Sequence, residues 1–297
     1  MEKKLLFIVN PRAGRTKSRA PLYEALLVYA EAGYLISIAQ TAAPGDATRI
    51  AQERSADFDL VVCHGGDGTL NETLNGLMRL PAAHRPPLGY LPGGSTNDFA
   101  ASLGIPLSPP AAARSSMRRQ PRVLDVGRFN DRFFAYVASF GAFTRTAYTV
   151  PQDVKNAFGH AAYFLAGVKD LETLRPYPMK LKADGERLDG EYLFGAVSNS
   201  TSIAGMMKLP ERDVSLNDGR FELLLVPVPR TAAALQATIY ALLAQDYENS
   251  DGLIFRHVEN VVAESAENIP WTLDGEYAPG APRFEIGIEN GGVTLLL

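Results

Sequence analysis

The chain has a single cysteine, Cys63, in 297 residues. One cysteine excludes a disulfide framework within the chain and any metal site built on cysteine pairs. Histidine is nearly as scarce: there are four, none in a His-Glu-x-x-His arrangement, so no zinc signature is present. Long hydrophobic runs are missing too. A membrane-spanning helix needs about 18 consecutive apolar residues. The longest candidate, 231–247, contains Gln236 and Gln245, follows Arg230, carries Asp246 near its end, and reads as an amphipathic helix. The first ten residues carry only a five-residue apolar run before a polar loop, too little for a secretory leader, so the expected location is the cytoplasm. Neither sign of charge dominates: 29 Lys and Arg stand against 33 Asp and Glu, a net of −4. That argues against nucleic acid as a partner. With 46% hydrophobic and 21% charged residues, a disordered chain, a collagen and a coiled coil are excluded as well. Internal repeats and low-complexity tracts are absent.

What is present is a folded chain of about two domains' length, at roughly 100–200 residues per domain. Residues 1–122 carry 14 basic and 10 acidic side chains, a net of +4, and the remainder 15 and 23, a net of −8. A basic first half suits an anionic ligand. In that half, apolar runs at 5–9, 34–39, 60–63 and 88–91 alternate with helical patterns at 21–32, 46–56, 69–80 and 96–103. Runs without polar alternation indicate strands buried on both faces. The expectation is an α/β domain with a doubly wound parallel sheet over 1–122. A basic helix or linker at 111–120 ends it. Beyond it, a hairpin around Asn130-Asp131 joins strands at 123–129 and 133–139, and a helical stretch spans 154–174. Short strands then recur at 179–183, 192–198, 221–226, 254–263, 271–273, 284–288 and 293–296. This predicts a β-rich antiparallel, sandwich-like second domain over 123–297, whose last few residues pack back on the first.

In doubly wound sheets, ligands bind beyond the carboxyl ends of the strands. Three loops with glycines fall there. Gly65-Gly66-Asp67-Gly68-Thr69-Leu70-Asn71-Glu72 follows the third strand. Its glycines let the backbone approach an anion, and the helix that follows offers unpaired N–H groups. Asp67 is out of place beside phosphate unless Mg²⁺ or a basic group intervenes; the plain alternative is a tight turn with Asp67 as a cap. Leu91-Pro92-Gly93-Gly94-Ser95-Thr96-Asn97-Asp98-Phe99 follows the fourth strand and, taken alone, reads as a helix cap. Asn10-Pro11-Arg12-Ala13-Gly14, with Arg15, Lys17 and Arg19 behind it, follows the first strand and is by itself a solvated basic loop. Neither a Gly-x-x-x-x-Gly-Lys-[Ser/Thr] loop nor a third glycine after Gly66-x-Gly68 occurs, which excludes the two commonest nucleotide fingerprints. His64 beside the glycines is expected to be a packed residue with a backbone partner.

Together, in this order, the three strings resemble the diacylglycerol kinase catalytic-domain family, which includes bacterial lipid kinases and the sphingosine and ceramide kinases. The resemblance covers essentially the whole chain, since Leu124-Asp125-Val126-Gly127, Ser139-Phe140-Gly141, Asn217-Asp218-Gly219 and Leu273-Asp274-Gly275-Glu276 also match the family. It implies a nucleotide-binding first domain, ATP at the cleft between domains, and transfer of the γ-phosphate to a lipid alcohol such as diacylglycerol at a membrane surface. It implies that Asn10, Gly14, Thr41, Gly65, Gly66, Asp67, Gly68, Thr69, Leu70, Asn71, Glu72, Ser95 and Asn97 bind ATP. Asp274 is implied as the general base, with Glu276 in the same motif, and Asp67 and Asp125 in an acidic network around Mg²⁺. A second Mg²⁺ is implied at Asp218, with carbonyls of Ser215 and Arg220. Thr144, Arg145 and the stretch 158–174 could face the lipid, although Phe158, Tyr163, Phe164 and Leu165 also read as plain core. A second Asp-Gly-Glu, at 184–186, reads as a hairpin turn. The resemblance also admits a homodimer, an NAD kinase-like phosphotransferase, and a catalytically silent binding protein of the same fold. The chain departs from the family pattern at Ser95, where threonine is more usual, at Gly93, where a bulkier residue stands, and at Asn217, where an acid often occurs.

Overall fold

A computed structural model of the chain describes residues 2–13, 20–95, 97–141, 175–200, 202–203, 207–208 and 215–297. The chain divides into two compact units. One comprises residues 1–126, 132–135 and 289–297, and the other residues 127–131 and 136–288.

The first unit alternates β1 (Lys3–Val9), α1 (Ala20–Glu31), β2 (Tyr34–Gln40), α2 (Asp46–Arg54), β3 (Leu60–Gly65), α3 (Asp67–Met78), β4 (Leu88–Pro92), α4 (Asp98–Leu103) and α5 (Pro109–Arg118). β2, β1, β3 and β4 lie side by side in that order, all parallel. The chain's own end adds a fifth parallel strand, with Leu295 opposite Leu88. The apolar runs are explained by burial on both faces: Leu5, Leu6, Ile8, Leu60, Val61 and Val62 are fully buried. The first crossover leaves β1 on one side and the next returns on the other. Right-handed connections therefore put α1 and α2 on opposite faces, and the order reverses between β1 and β3. Ligands of open α/β sheets bind at such a switch point.

Several helix bounds differ from those read in the sequence, each for a local reason. The third helix starts at Asp67, because Gly66 rather than Gly68 is its N-cap. The fourth starts at Asp98, because Asn97 takes a left-handed conformation with φ 53°. The second ends at Arg54 and tightens into a 3-10 turn over Ser55–Asp57.

The second unit is antiparallel. β5 (Arg122–Phe129) reaches into it and turns at Asn130, φ 52°, into β6 (Arg132–Phe134). The expected second arm of this hairpin is broken. β6 ends at Phe134, and β7 (Val137–Gly141) goes to other partners. There follow β8 (Tyr177–Ala183), β9 (Glu186–Arg187), β10 (Gly190–Ser198), the short pair β11 (Ser202–Ile203) and β12 (Met207–Lys208), and β13 (Phe221–Pro227). A helix, α6 (Ala232–Ala244), comes next, capped by the Thr231 hydroxyl, which accepts from Ala234 N at 3.1 Å. The chain finishes with β14 (Ile254–Val258), β15 (Asn260–Glu264), β16 (Trp271–Leu273), β17 (Glu276–Ala278) and β18 (Arg283–Leu296).

The single strand expected over 254–263 is two. Asp184 accepts from Glu259 N at 2.9 Å and Asn260 N at 2.8 Å, taking those amides out of the ladder. β14 then pairs with β13, whereas β15 pairs with β8 and β18. Conversely, the two strands expected at 284–288 and 293–296 are one long strand. One group of strands runs β17-β16-β7-β10-β13-β14, a second holds β9-β8-β15, the first half of β18 and β5 beside it, and the β10–β8 pairing joins the two. Trp271 and Phe140 from the first meet Phe129 and Phe284 from the second, with ring centroids 4.6–5.1 Å apart across the Trp271 contacts. This aromatic cluster is the core of a sandwich.

Candidate functional site

β3 and β4 each run into a loop at the carboxyl edge of the sheet, and the two loops touch through their backbones. Gly93 N donates to Gly65 O at 2.7 Å. A Cβ on Gly94 would stand 2.6 Å from Gly66 Cα, so neither loop tolerates a side chain there. Asn97 holds the second loop closed. Its Oδ1 accepts from Gly94 N at 2.8 Å and its Nδ2 donates to Gly94 O at 2.9 Å. The Tyr90 hydroxyl donates to Gly65 O at 3.2 Å, tying the loops from beneath. Ser95 is exposed at the tip of this loop.

Asn10 joins from β1, across the switch point. Its N–H reaches His64 O at 2.9 Å, and its amide donates to the Thr69 hydroxyl at 3.2 Å. Thr41, just past β2, is buried and donates its N–H to Val9 O at 2.9 Å. Asn10, Thr41, Gly65, Gly66, Gly68, Thr69, Ser95 and Asn97 are thus all carried by β–α loops at one sheet edge or by the first turn after them. The N-cap of α3 is Gly66 and no side chain caps its first turn, so its leading N–H groups and positive dipole end are available to an anion.

Other residues of the same strings face inward. Leu70 is 2% exposed, in the apolar core. Asn71 is buried and donates to Phe133 O at 3.2 Å, and Asn75 bonds to both the N–H and the carbonyl of Phe133. The Glu72 carboxylate accepts from Gly45 N at 2.8 Å and Ala47 N at 3.2 Å. It therefore holds the first turn of α2, where negative charge is favoured.

Asp67 accepts from Asp98 N at 3.1 Å and Phe99 N at 3.4 Å. It is the acceptor for the start of α4, which gives this carboxylate a structural role beside the glycine turn. Burial nevertheless pushes its pKa above the usual carboxylate value, although several backbone amides work against that. His64 stands next in β3. Its Nδ1 lies 3.0 Å from Leu91 O, and burial lowers its pKa, so the ring is neutral.

Asp125 is buried and accepts from Gly291 N at 2.7 Å, fastening β5 to the chain's closing segment. It borders a cavity of about 10 Å³ among Leu70, Leu74, Phe99 and Leu295. That is room for one water at most.

In the second unit, Asp274 and Gly275 form the turn between β16 and β17, with φ 51° and 84°. A type I′ hairpin turn needs both values positive, and Asp-Gly suits it. Asp274 Oδ1 accepts from Tyr136 N at 3.0 Å and Val137 N at 3.1 Å, and the residue is 3% exposed. A turn residue with a buried, doubly bonded carboxylate is more than a turn. Asp184-Gly185 repeats the backbone, with φ 44° and 95°, but its carboxylate serves the β14–β15 break. Glu276 is exposed on β17.

Asp218 is exposed in the turn before β13, and its Oδ1 accepts from Arg220 N at 3.0 Å. Ser215 reaches Asn217 Oδ1 at 3.5 Å. Its donors are all oxygens, the type Mg²⁺ takes. Among the described residues no group of three or more His, Cys, Asp or Glu is arranged to hold a metal ion. Any Mg²⁺ here would thus lean on carbonyls, water or substrate phosphates, as it commonly does. Gly14, Arg15, Lys17, Arg19, Thr96, Thr144, Arg145 and the helix expected at 154–174 lie outside the described residues. Sequence reading passed over Asn75, Tyr90 and Asp98. Asn75 was legible as the residue one turn after Asn71, and Asp98 stood within the second glycine string.

Residues 4–129 match the family model described as the diacylglycerol kinase catalytic domain. Residues 137–295 match the one described as the YegS C-terminal NAD kinase beta sandwich-like domain. A protein named diacylglycerol kinase from Bacillus subtilis (strain 168) is 36% identical, over 94% of this chain and 92% of its own length. One of the same name from Staphylococcus aureus (strain MRSA252) is 30% identical, over 98% and 91%. A crystal structure of a diacylglycerol kinase from Bacillus anthracis str. Sterne superimposes with a TM-score of 0.79 at 27% identity, covering 99% of this chain and 96% of that one. Among the described residues no helix is long and apolar enough to cross a membrane.

Proposed function

Because this chain belongs to the diacylglycerol kinase catalytic-domain family, we propose that it is a kinase that uses ATP to phosphorylate the hydroxyl of a membrane lipid such as diacylglycerol. The observation that carries the nucleotide half of this reading is the uncapped first turn of α3, with Gly66 pressed against Gly94. Side chains are excluded there, and N–H groups are left to meet phosphate oxygens. Asn10, Thr41, Thr69 and Ser95 rim the same edge and would complete the ATP contacts.

The lipid half rests on Asp274. Two amides on Oδ1 hold its carboxylate in place, and this carboxylate would take the proton of the lipid hydroxyl. The lipid oxygen then bonds to the γ-phosphorus, the bond from that phosphorus to the β,γ-bridging oxygen breaks, and ADP leaves with the electron pair. Such transfers depend chiefly on positioning and charge stabilisation. Mg²⁺, when bound, would neutralise phosphate charge, and Asp218 with the carbonyls of Ser215 and Arg220 would hold a second, structural ion. Glu276, two residues beyond the base, would tune the polarity around it. The enzyme would act from the cytoplasm at the membrane surface.

The test is transfer of radiolabel from γ-labelled ATP to vesicles containing diacylglycerol, to a panel of other lipids, to NAD and to buffer alone. The NAD arm answers the sandwich domain's likeness to that of NAD kinases. Label is expected in a lipid, and Asp274→Asn should lower kcat by roughly 10²–10⁴-fold, the range of general-base catalysis, with the Kd for ATP little changed. Label in NAD and in no lipid would overturn the reading. Near-normal turnover of the Asn variant would remove Asp274 from the base role.

A further inference from the structure

His64 is not a core histidine that merely happens to border the glycines. A Cβ placed on Gly93 would meet the imidazole, 2.6 Å from Cε1 and 3.2 Å from each ring nitrogen. The ring therefore occupies the space that a side chain at position 93 would take, and forms part of the wall of the second glycine loop. This accounts for the departure at Gly93: the loop gives up a side chain and β3 supplies a ring in its place.

The ring's hydrogen bonding fixes what it offers. Leu91 O can only accept, so Nδ1, 3.0 Å away, carries the hydrogen. With the ring neutral, Nε2 is a bare acceptor. Among the described residues it has no partner, and the residue is only half-buried. A phosphate oxygen is itself an acceptor and gains nothing from such a nitrogen. A ribose hydroxyl or a purine amine donates and would.

We propose that His64 selects the nucleoside part of the nucleotide, with Nε2 accepting a hydrogen bond from a donor group on the sugar or base. This rests on the nucleotide reading above and adds the residue that separates a nucleotide from a bare polyphosphate. His64 acts in binding, not in the transfer step.

The experiment compares Kd values for ATP and for inorganic tripolyphosphate, by calorimetry on the full chain. An asparagine amide can take the place of Nδ1 and a glutamine amide that of Nε2. His64→Asn keeps the bond to Leu91 O and should weaken ATP binding by about tenfold, the scale of one hydrogen bond, leaving tripolyphosphate unchanged. His64→Gln should recover most of the ATP affinity. ITP, which lacks the amine, and 2′,3′-dideoxy-ATP, which lacks the hydroxyls, tell the two donors apart: one of them should be insensitive to His64→Asn. If His64→Asn weakens ATP and tripolyphosphate equally, the ring only shapes the loop and the proposal fails. If it weakens neither, the proposal also fails. A wild-type protein that binds neither ligand overturns the nucleotide reading itself, which is a separate and recognisable result.

Discussion

A carboxylate desolvated at the mouth of a glycine turn is expected to cost the fold something, and Asp67 carries that cost. Desolvation is the largest influence on it, and its pKa is raised. A carboxyl that holds its proton more tightly in the folded than in the unfolded state stabilises the fold only while protonated. Its contribution is fully present below the usual carboxylate pKa of 3.8 and is lost as pH rises through the higher folded value. At neutral pH the ionised group is therefore a net liability, even though Asp98 N and Phe99 N donate to it. Asp67→Asn keeps an acceptor for one of these amides and removes the charge. Its melting temperature at pH 7 should equal or exceed that of the wild type, and the advantage should shrink as pH falls toward 4. Turnover should drop at the same time, the usual exchange of stability for activity at such sites. A variant that melts well below the wild type at pH 7 would show that the amide bonds outweigh the burial.

Helix α3 is held by its neighbours as much as by its own propensity. Exchanging a helical glycine for alanine ordinarily stabilises by about 1 kcal/mol. At Gly76 the reverse is expected. A Cβ there would lie 2.4 Å from Thr48 O and 2.6 Å from Ala51 Cβ, both on α2. Overpacking of this kind costs about 1–3 kcal/mol, so Gly76→Ala should lower the melting temperature in a thermal scan; a rise would mean that α2 moves aside freely. The same element shows what sequence reading can reach. Its glycine-rich start and apolar periodicity were legible because both are local, and the parallel strands were legible because burial on two faces leaves unbroken apolar runs. The split between β14 and β15 was not legible: residues 254–263 read as one strand, and the Asp184 carboxylate that breaks it lies 75 residues away in sequence. The Glu72 grip on α2 and the fit of His64 against Gly93 were hidden for the same reason. Both join residues 25 or more apart, and neither side chain announces its partner. Asp184 and Asp274 make the point most sharply. Both begin Asp-Gly turns of the same backbone form, and only the burial and amide partners of Asp274 set it apart.

At the scale of the molecule, the first unit is not finished when its last helix ends. Residues 289–297 return to it and lay a fifth parallel strand beside β4. Val293, Leu295 and Leu297 are 6%, 1% and 2% exposed, and burying each such side chain contributes about 1.5–3 kcal/mol. Arg85 donates to Gly292 O at 3.1 Å and Asp125 accepts from Gly291 N, so hydrogen bonds also tie the segment to the first unit. Together these terms rival the 5–15 kcal/mol by which a whole domain is ordinarily stable. The N-terminal half is therefore expected not to fold by itself, although the catalytic-domain family model stops at residue 129. A fragment ending at Ala135 should lack a cooperative thermal transition by circular dichroism. A chain shortened by its last nine residues should lose its transition as well, or melt far lower, although every glycine loop is intact. If either protein melts like the full chain, the closing strand is an ornament on a sheet that four strands already stabilise. If both fail, the glycine loops of the first unit depend on residues 289–297, which follow the second unit in the chain, and cannot settle until that unit has been synthesised.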